Sequence, residues 1–272
     1  VEGTVFYDTT ANLLKAWSGS AWISAETGDI EGVTTSSTSG LSGGTITPSS
    51  YSFNATAGFS IIAYTGSGSA ATIPHGLGVA PQAIWVKNRD DSEDWVCYFE
   101  NDGAGYYQSL NSASNKTANS GMWNDTAPTT SVFSVGTHNS VNSSGDDYIA
   151  YCFANIEGYS KIGTYIGNDS DNFIYTGFRP GFLVCKRIDA NDNWKVLDTA
   201  RGATDPEGNP KNYTLAWDTG SNESAPEGGI DVYFNSNGFF FDGMTNDAYN
   251  HATGTYAYLA IAEQPLVGTN DI

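Results

Sequence analysis

Carboxylates are the most numerous side chains in this sequence that could do chemistry, and they gather in short turn-like stretches. One stretch holds Asp189, Asn191 and Asp192, and another runs from Asp90 to Asp94. Hard oxygen atoms at this close spacing are the ligands that calcium prefers, so Asp189, Asn191 and Asp192 are candidate calcium ligands. Neither stretch has the Asp-x-Asp-x-Asp-Gly spacing of a calcium loop. The alternative that these acids are solvated turn residues therefore stays open.

No set of residues for nucleophilic or acid–base catalysis can be assembled from the sequence. The histidines His75, His138 and His251 lie in separate loops and have no partners at a catalytic spacing. Residues 40–44 match G-x-S-x-G, but they lack the preceding strand and the following helix of a nucleophile elbow. Glycoside hydrolysis needs two carboxyl groups that flank a cleft, which acids in hairpin turns do not indicate. The sequence therefore predicts no catalytic residue and no enzymatic activity.

Aromatic side chains beside Gly, Asn and Asp are the best binding candidates in the sequence. Sugars stack on aromatic faces while neighbouring polar groups bind their hydroxyls. The alternative is that many of these rings belong to the core or to a contact between subunits. The candidates for exposed, ligand-stacking rings are Trp17, Trp22, Tyr106, Tyr107, Trp123 and Trp217.

The three cysteines, Cys97, Cys152 and Cys185, lie in apolar, strand-like runs. Their number is odd, and they show neither CxxC nor Cys/His metal spacing. We expect small buried thiols, as in a chain made in a reducing cytosol.

The elements that position these residues occur twice along the chain. Residues 81–95 and 180–194 align without a gap, each with a Pro at the start, a central Lys and a Trp at the end. Each copy has the pattern of a strand opened by Pro, an acidic turn and a second strand. Further anchors follow in the same order, such as residues 148–154 against 256–262. A repeated unit of about 100 residues has the size of a whole domain.

The composition and the strand pattern predict an all-β fold. The chain has 31 glycines and 13% aromatic residues, a balance typical of short strands joined by turns. Residues 148–154 are apolar on both faces, which predicts a central strand of a sandwich. We divide the chain into an N-terminal β-hairpin and Ser/Thr/Gly-rich linker (1–50), two tandem, internally duplicated β-sandwich (jelly-roll-like) units (51–157 and 158–266) and a C-terminal tail (267–272).

The charge balance excludes some partners. The formal net charge is −19, from 30 acids and 11 bases, so nucleic acid and anionic membranes should repel the chain. No apolar run is long enough to span a membrane, so we expect no membrane insertion. The chain starts with Val, and we expect it to be part of a longer or processed polypeptide.

Two stretches resemble known structural proteins of viruses. Residues 3–22 follow the pattern Gly-x-Φ-x-Φ-Asp, then Asn-x-Leu-Lys-Φ, then Gly-Ser-Ala-Trp, where Φ is apolar. This pattern resembles a hairpin of bacteriophage tail-fibre and related virion proteins. The duplicated region resembles one in phage structural proteins, through residues 58–66, 75–81, 148–154 and 158–168.

The resemblance implies a non-enzymatic structural component of a virion, in a tail fibre or a similar appendage. Such a chain would assemble with other virion proteins as a homo-oligomer, with a trimer as the first expectation. It would contact the host surface, with a surface glycan as a further partner. Two alternatives stay open, namely a capsid decoration protein and a carbohydrate-binding module of an adhesin or secreted enzyme.

Overall fold

The computed structural model describes residues 41–201, 213–221, 231–243 and 245–264, and the strand pairing of 5–8, 13–17, 22–25 and 34–35. The C-terminal tail predicted at 267–272 lies outside these residues. The strands are β1 (Val5–Asp8), β2 (Leu13–Trp17), β3 (Trp22–Ala25), β4 (Thr34–Thr35), β5 (Ser50–Asn54), β6 (Phe59–Thr65), β7 (Ala71–Pro74), β8 (Ala83–Asn88), β9 (Val96–Phe99), β10 (Tyr106–Ser109), β11 (Thr117–Ala118), β12 (Val132–Val135), β13 (Asp147–Phe153), β14 (Ser160–Ile166), β15 (Asn172–Tyr175), β16 (Pro180–Arg187), β17 (Lys195–Asp198), β18 (Leu215–Ala216), β19 (Val232–Asn235), β20 (Gly238–Phe241) and β21 (Thr255–Ala262).

Both units build the same pair of sheets in the same strand order. In the first unit, β9, β8, β13 and β6 lie side by side in a large sheet, and β12 pairs with β7 in a small one. In the second unit, β17, β16, β21 and β14 repeat that order, and β20 pairs with β15. Strands β1, β2 and β3 form a separate antiparallel meander at the N-terminus. The predicted all-β fold, with an N-terminal hairpin segment and two duplicated sandwich units, is confirmed.

Both large sheets are apolar on both faces because alternate residues of a strand enter different cores. In β8, Ile84 and Val86 pack toward the small sheet of their own unit, whereas Ala83 faces the second unit. In β21, Tyr258 enters the core of the second unit, and its neighbour Leu259 faces the first unit. This arrangement explains the two apolar faces in the sequence of β13, which lies between β8 and β6.

A third core joins the two sandwich units back to back. Phe99 of the first unit stacks on Trp194 of the second, with ring centroids 6.0 Å apart. The two sandwiches therefore form one stack of four sheets, in which the large sheets are the inner layers. The buried members of this inter-unit core are Ala83, Cys97, Phe99, Ile162, Val184, Ile188, Trp194, Val196, Ala257 and Leu259.

Only residues 154–159 connect the last strand of the first unit to the first strand of the second. Ser160 donates its hydroxyl hydrogen to the Ala154 carbonyl at 2.8 Å. The Asn155 side-chain oxygen accepts from the Ile162 backbone amide at 2.6 Å. The Asn155 backbone amide donates to Gln82 Oε1 at 2.6 Å. The connection is thus hydrogen-bonded to both units along its length.

A stacked pair of tyrosines closes one end of the first sandwich. The rings of Tyr64 and Tyr148 lie 5.1 Å apart with an angle of 14° between their planes. Buried Tyr64 donates to the Val141 carbonyl at 2.7 Å. The Tyr148 hydroxyl donates to the Asn139 carbonyl at 2.6 Å and accepts from the Ser143 amide at 2.8 Å. These hydrogen bonds connect the paired strands β6 and β13 to the loop at residues 139–143.

The second sandwich repeats this arrangement at equivalent positions. Tyr165 and Tyr256 stack at 4.9 Å with an angle of 8°, and Tyr165 donates to the Tyr249 carbonyl at 2.8 Å. The Tyr256 hydroxyl donates to the Asp247 carbonyl and accepts from the His251 amide. We call these two sets the tyrosine pairs, Tyr64 with Tyr148 and Tyr165 with Tyr256.

Each tyrosine pair lies beside a buried asparagine and a glycine that admits no side chain. Asn142 accepts from the Ser67 amide, and the equivalent Asn250 accepts from the Asn168 amide. A Cβ atom on Gly66 would lie 2.0 Å from the Ser143 carbonyl oxygen, and one on Gly167 would lie 2.2 Å from that of His251. The close approach of two chains therefore requires glycine at both positions.

The helices among the described residues are single turns inside loops. They are a 3-10 turn (Glu100–Asp102), α1 (Ser120–Trp123) and α2 (Asn139–Asn142). Asn119 caps α1 by accepting from the Gly121 amide, and His138 caps α2 by accepting from the Ser140 amide through Nδ1. Within the described ranges, no helix is long and apolar enough to cross a membrane.

His75 is buried in the first unit as a neutral ring. Its Nε2 lies 3.1 Å from the Thr129 carbonyl oxygen and donates to it, and its Nδ1 accepts from the Leu77 amide at 3.2 Å. Burial lowers the pKa of His75, and the hydrogen bond to Thr129 opposes this effect. A proton on Nδ1 would remove the acceptor of the Leu77 amide, so the folded chain favours the neutral form.

We expect His75 to make the fold less stable in mild acid. Because its pKa is lower in the folded than in the unfolded chain, the unfolded state binds more protons as pH falls below about 6.5. The free energy of unfolding should therefore decrease over that range in the wild type and decrease less in His75→Asn. Urea unfolding between pH 7.5 and pH 5 measures this difference. His251→Asn is the comparison, since that ring is 40% exposed, and equal pH dependence of the two variants would contradict the prediction.

The tyrosine pairs should contribute similar stability to both units. Tyr64→Phe and Tyr165→Phe each leave a buried carbonyl without its donor, and we expect each to cost about 1–2 kcal/mol in free energy of unfolding. Tyr175→Phe is the matched control, because Tyr175 is 65% exposed, and it should change stability by less than about 0.5 kcal/mol. Chemical denaturation of the three variants tests this expectation. Losses at Tyr64 and Tyr165 no larger than at Tyr175 would show that the repeated hydrogen bond is energetically neutral.

Candidate functional site

An open, mostly aromatic groove lies where the face of the first large sheet that is turned toward the second unit meets the end of β18. Its volume is about 440 Å³, within the range of small-molecule binding sites. Both units contribute to it, so it exists only because they pack together. We call it the aromatic groove; its lining residues are Trp85, Trp95, Leu110, Asn111, Tyr151 and Trp217.

The floor of the aromatic groove is built by strand register in the first unit. Trp85 in β8 and Tyr151 in β13 are direct cross-strand partners, so their side chains lie on the same face. Phe153 packs beside Trp85 with ring centroids 4.6 Å apart. Trp95 stands immediately before β9, and its ring centroid lies 6.0 Å from that of Tyr151. These rings are half-buried, so each still presents part of its surface to the groove.

Trp217 of the second unit forms the opposite wall. Its ring meets Trp85 edge to face, with centroids 5.7 Å apart and an angle of 87°. It also packs near Phe182 and Trp194, at 6.3 and 6.5 Å. The ring nevertheless remains 38% exposed. The two indoles therefore form a floor and a wall at a right angle.

Leu110 and Asn111 in the first unit occupy positions equivalent to Trp217 and Asp218 in the second. The Leu110 amide donates to the Trp95 carbonyl at 2.9 Å, and the Trp217 amide donates to the Trp194 carbonyl at 3.3 Å. The next residue accepts in both units, because Asn111 Oδ1 accepts from the Trp95 amide and the Asp218 carboxylate accepts from the Trp194 amide. Leu110 thus corresponds to Trp217.

A polar pair stands at the rim beside Trp95. The Asn111 side-chain amide donates to Asp94 Oδ1 at 2.8 Å. Ser109 donates its hydroxyl hydrogen to the other carboxylate oxygen of Asp94 at 3.4 Å. Asn111 and Asp94 are exposed, and their internal hydrogen bonds hold them in place before any ligand arrives.

The predicted surface aromatics lie in different environments and do not form one site. Tyr106 is exposed, and the Lys116 ammonium lies 5.1 Å from its ring centroid. Tyr107 is partly buried against the core of the first unit. Of the six candidates, Trp217 lies in the aromatic groove. Trp17 and Trp22 face each other across β2 and β3, and their side chains lie outside the described residues.

Trp123 is a correction to the sequence-based expectation, because its ring lies in the core. It is 1% exposed, and its indole nitrogen donates to the Tyr106 carbonyl at 3.0 Å. The neighbouring Asn and Gly residues suggest a surface loop, but the short helix α1 turns the ring inward. Trp123 therefore presents no face to a ligand.

The acidic turn that holds the candidate calcium ligands contacts the first unit. The Asp192 amide donates to the Ala113 carbonyl at 2.9 Å, and Asn191 accepts from the Asn115 amide at 3.0 Å. Asp189 pairs with the Arg187 guanidinium at 3.0 Å. Among the residues that the structure describes, no three His, Cys, Asp or Glu side chains are grouped as a metal site would require.

Lys186, the lysine of the repeated segment, lies at the centre of this contact between the acidic turn and the first unit. It is buried and donates to the carbonyls of Ala113 and Asp192, one in each unit. Its ammonium also lies 5.9 Å from the Trp194 ring centroid. Burial lowers its pKa, and the charge of Asp218 opposes that effect. The lysine thus holds the acidic turn against the first unit.

The three cysteines are buried, free and in core positions, as predicted. Burial raises the pKa of Cys152 and of Cys185 to about 12, and it raises the pKa of Cys97 as well. Their thiols are therefore packing groups and not nucleophiles.

Sequence reasoning did not identify Trp85, Trp95 and Tyr151 as groove residues. A signal was present at Trp85, whose counterpart in the second copy is Val184, a smaller side chain in the inter-unit core. A tryptophan that replaces a valine between copies indicates a local difference in surroundings. The nature of that difference depends on how the two units pack together, which the sequence does not show.

We expect calcium not to stabilise this chain, because the acidic turn already uses its oxygens within the protein. Adding calcium to about 5 mM should leave Tm within about 1 °C of its value in EGTA. Sodium chloride at matched ionic strength controls for screening of the acidic surface. A calcium-specific rise of several degrees that Asp192→Asn abolishes would restore the metal hypothesis.

Comparison with known proteins gives the family of this chain. Searches among curated proteins and among solved structures found no match. Residues 30–265 match a family described as a domain of unknown function, DUF7483. The match covers both sandwich units and the inter-unit core. The chain therefore belongs to the DUF7483 family.

Proposed function

We propose that this chain is a non-enzymatic structural component of a phage virion, in a tail fibre or a similar appendage. There it would assemble with other virion proteins and contact the host surface. The observation that carries the proposal is the fusion of two copies of one sandwich through an apolar core, with an open aromatic groove at their junction.

The fused architecture suits a load-bearing part of an assembly. Phe99 and Trp194 are buried between the units, and Trp194 also donates its indole hydrogen to the Ser109 carbonyl at 2.9 Å. Lys186 adds hydrogen bonds to carbonyls of both units. Apolar and polar contacts thus act at the same interface, which opposes hinge motion between the units.

The aromatic groove suits the contact function. Trp217 keeps 38% of its surface exposed at a place formed by both units. Solvent-exposed tryptophans are more common at binding surfaces than at inert ones. The hairpin pattern at residues 3–22 also supports a virion role through the resemblance described above.

Two other roles fit parts of the same structure. A capsid decoration protein would use the fused sandwiches in the same structural way at another place on the particle. A carbohydrate-binding module of an adhesin or secreted enzyme is favoured by the aromatic groove alone. The trimer expected from the resemblance stays a prediction.

The location of the chain in purified particles distinguishes these roles. We expect mass spectrometry to find the chain in particles of the phage that encodes it, and labelled antibodies to mark the tail. The antibodies should be raised against the full chain, because the two units pack through a shared apolar core. Labelling over the capsid would favour decoration.

Particles stripped of their tails should lose the label while their capsids stay intact. Absence of the chain from washed particles, with the protein found free in the lysate, would overturn the virion proposal.

A further inference from the structure

The aromatic groove has the shape of a stacking site with two usable ring faces. Trp85 packs against Phe153 and meets Trp217 at a right angle, so it serves as a floor. Trp217 is 38% exposed, and Trp95 is half-buried with a ring contact to Tyr151. A flat ligand that enters the groove can therefore lie against Trp217 or Trp95.

The rim supplies the hydrogen-bonding groups that a purely apolar ligand would not use. Asn111 and Asp94 are exposed, joined by a 2.8 Å hydrogen bond and adjacent to Trp95. A carboxylate and an amide side by side offer several acceptors and one further donor hydrogen. Hydroxyl groups, which both donate and accept, match this pair. A ligand with one apolar face and hydroxyls at its edge fits better than a hydrocarbon.

The charges around the aromatic groove disfavour anionic ligands. None of its lining residues is a Lys or Arg, and Asp94 and Asp218 stand next to Trp95 and Trp217 in the sequence. The net charge of −19 adds to the repulsion. Lys186 partly offsets the charge of Asp218, but it is buried and is not part of the groove lining, so acidic sugars and phosphorylated ligands are disfavoured.

We propose that the aromatic groove binds a neutral saccharide. The apolar face of one sugar ring stacks on Trp217 or Trp95, and its hydroxyls hydrogen-bond to Asn111 and Asp94. The groove is open, so it takes an internal segment of a longer glycan as readily as a chain end. This inference rests on the proposed function only in making the glycan the host contact, because the binding chemistry follows from the groove itself.

Titration of the full chain with neutral oligosaccharides tests the proposal. The probes are hexamers of β-1,4-linked glucose, β-1,4-linked N-acetylglucosamine and α-1,4-linked glucose, followed by a broad glycan array. Binding is measured by calorimetry and by saturation-transfer NMR. We expect at least one neutral glycan to bind with Kd of about 10 μM to 1 mM, and an oligogalacturonate hexamer not to bind.

Variants locate the binding site. Trp217→Ala should weaken binding about tenfold or more, because it removes a stacking face. Asn111→Ala tests the polar rim, and it keeps the test valid if the tryptophan variant fails to fold. Thermal melting shows whether each variant is folded. Tyr175→Ala is the matched control, since Tyr175 is an exposed aromatic residue on β15, away from the groove lining. Its affinity should equal that of the wild type.

Three results would overturn the proposal. In one, no neutral glycan on the array binds the folded chain. In another, glycans bind, but folded Trp217→Ala and Asn111→Ala keep full affinity. Self-association in sedimentation that Trp217→Ala abolishes, without glycan binding, would assign the groove to a second copy and also overturn it. Each of these results leaves the particle-labelling experiment unaffected, so the two proposals can fail separately.

Discussion

The apolar contact between the two large sheets is the interaction on which the rest of this structure depends. A large sheet in an ordinary two-layer sandwich has one face in the core and one in water. Here Cys97, Phe99 and Val184 occupy the face that would otherwise be wet. Neither unit can expose this face without losing apolar burial, so the duplicated unit is stable as a pair. The extent of the family match, residues 30–265, agrees with a pair as the inherited unit.

The two copies have kept what closes each sandwich and changed what faces the partner. The tyrosine pairs, the buried asparagines and the glycines beside them recur with the same hydrogen bonds. At the junction, by contrast, Trp85 corresponds to Val184, and Leu110 corresponds to Trp217. Trp95 remains half-exposed, whereas Trp194 is buried. Among the described residues, the groove forms because the two sides of the interface no longer carry equivalent side chains.

Much of the fold could be predicted because strand periodicity and duplication are local properties of the sequence. The apolar pattern along β13 correctly indicated a central strand. The environment of a single ring could not be predicted, because it depends on tertiary contacts. Trp123 and Tyr106 have similar neighbours in the sequence, yet Trp123 in α1 is turned inward and Tyr106 in β10 stays exposed. The sequence of the acidic turn at Asp192 likewise allows a solvated turn, whereas in the structure the loop at Ala113 packs against it.

The short connection at residues 154–159 limits how copies of this chain can combine. Domain swapping needs a hinge that can straighten so that one unit packs on a neighbouring molecule. Here Asn155 is hydrogen-bonded to both units, and a Cβ atom on Gly58 would lie 2.6 Å from the Ile156 side chain. Exchange of units would break these contacts and open the inter-unit core. Protomers that keep this packing in a higher assembly therefore meet through their outer surfaces, and each keeps a complete groove of its own.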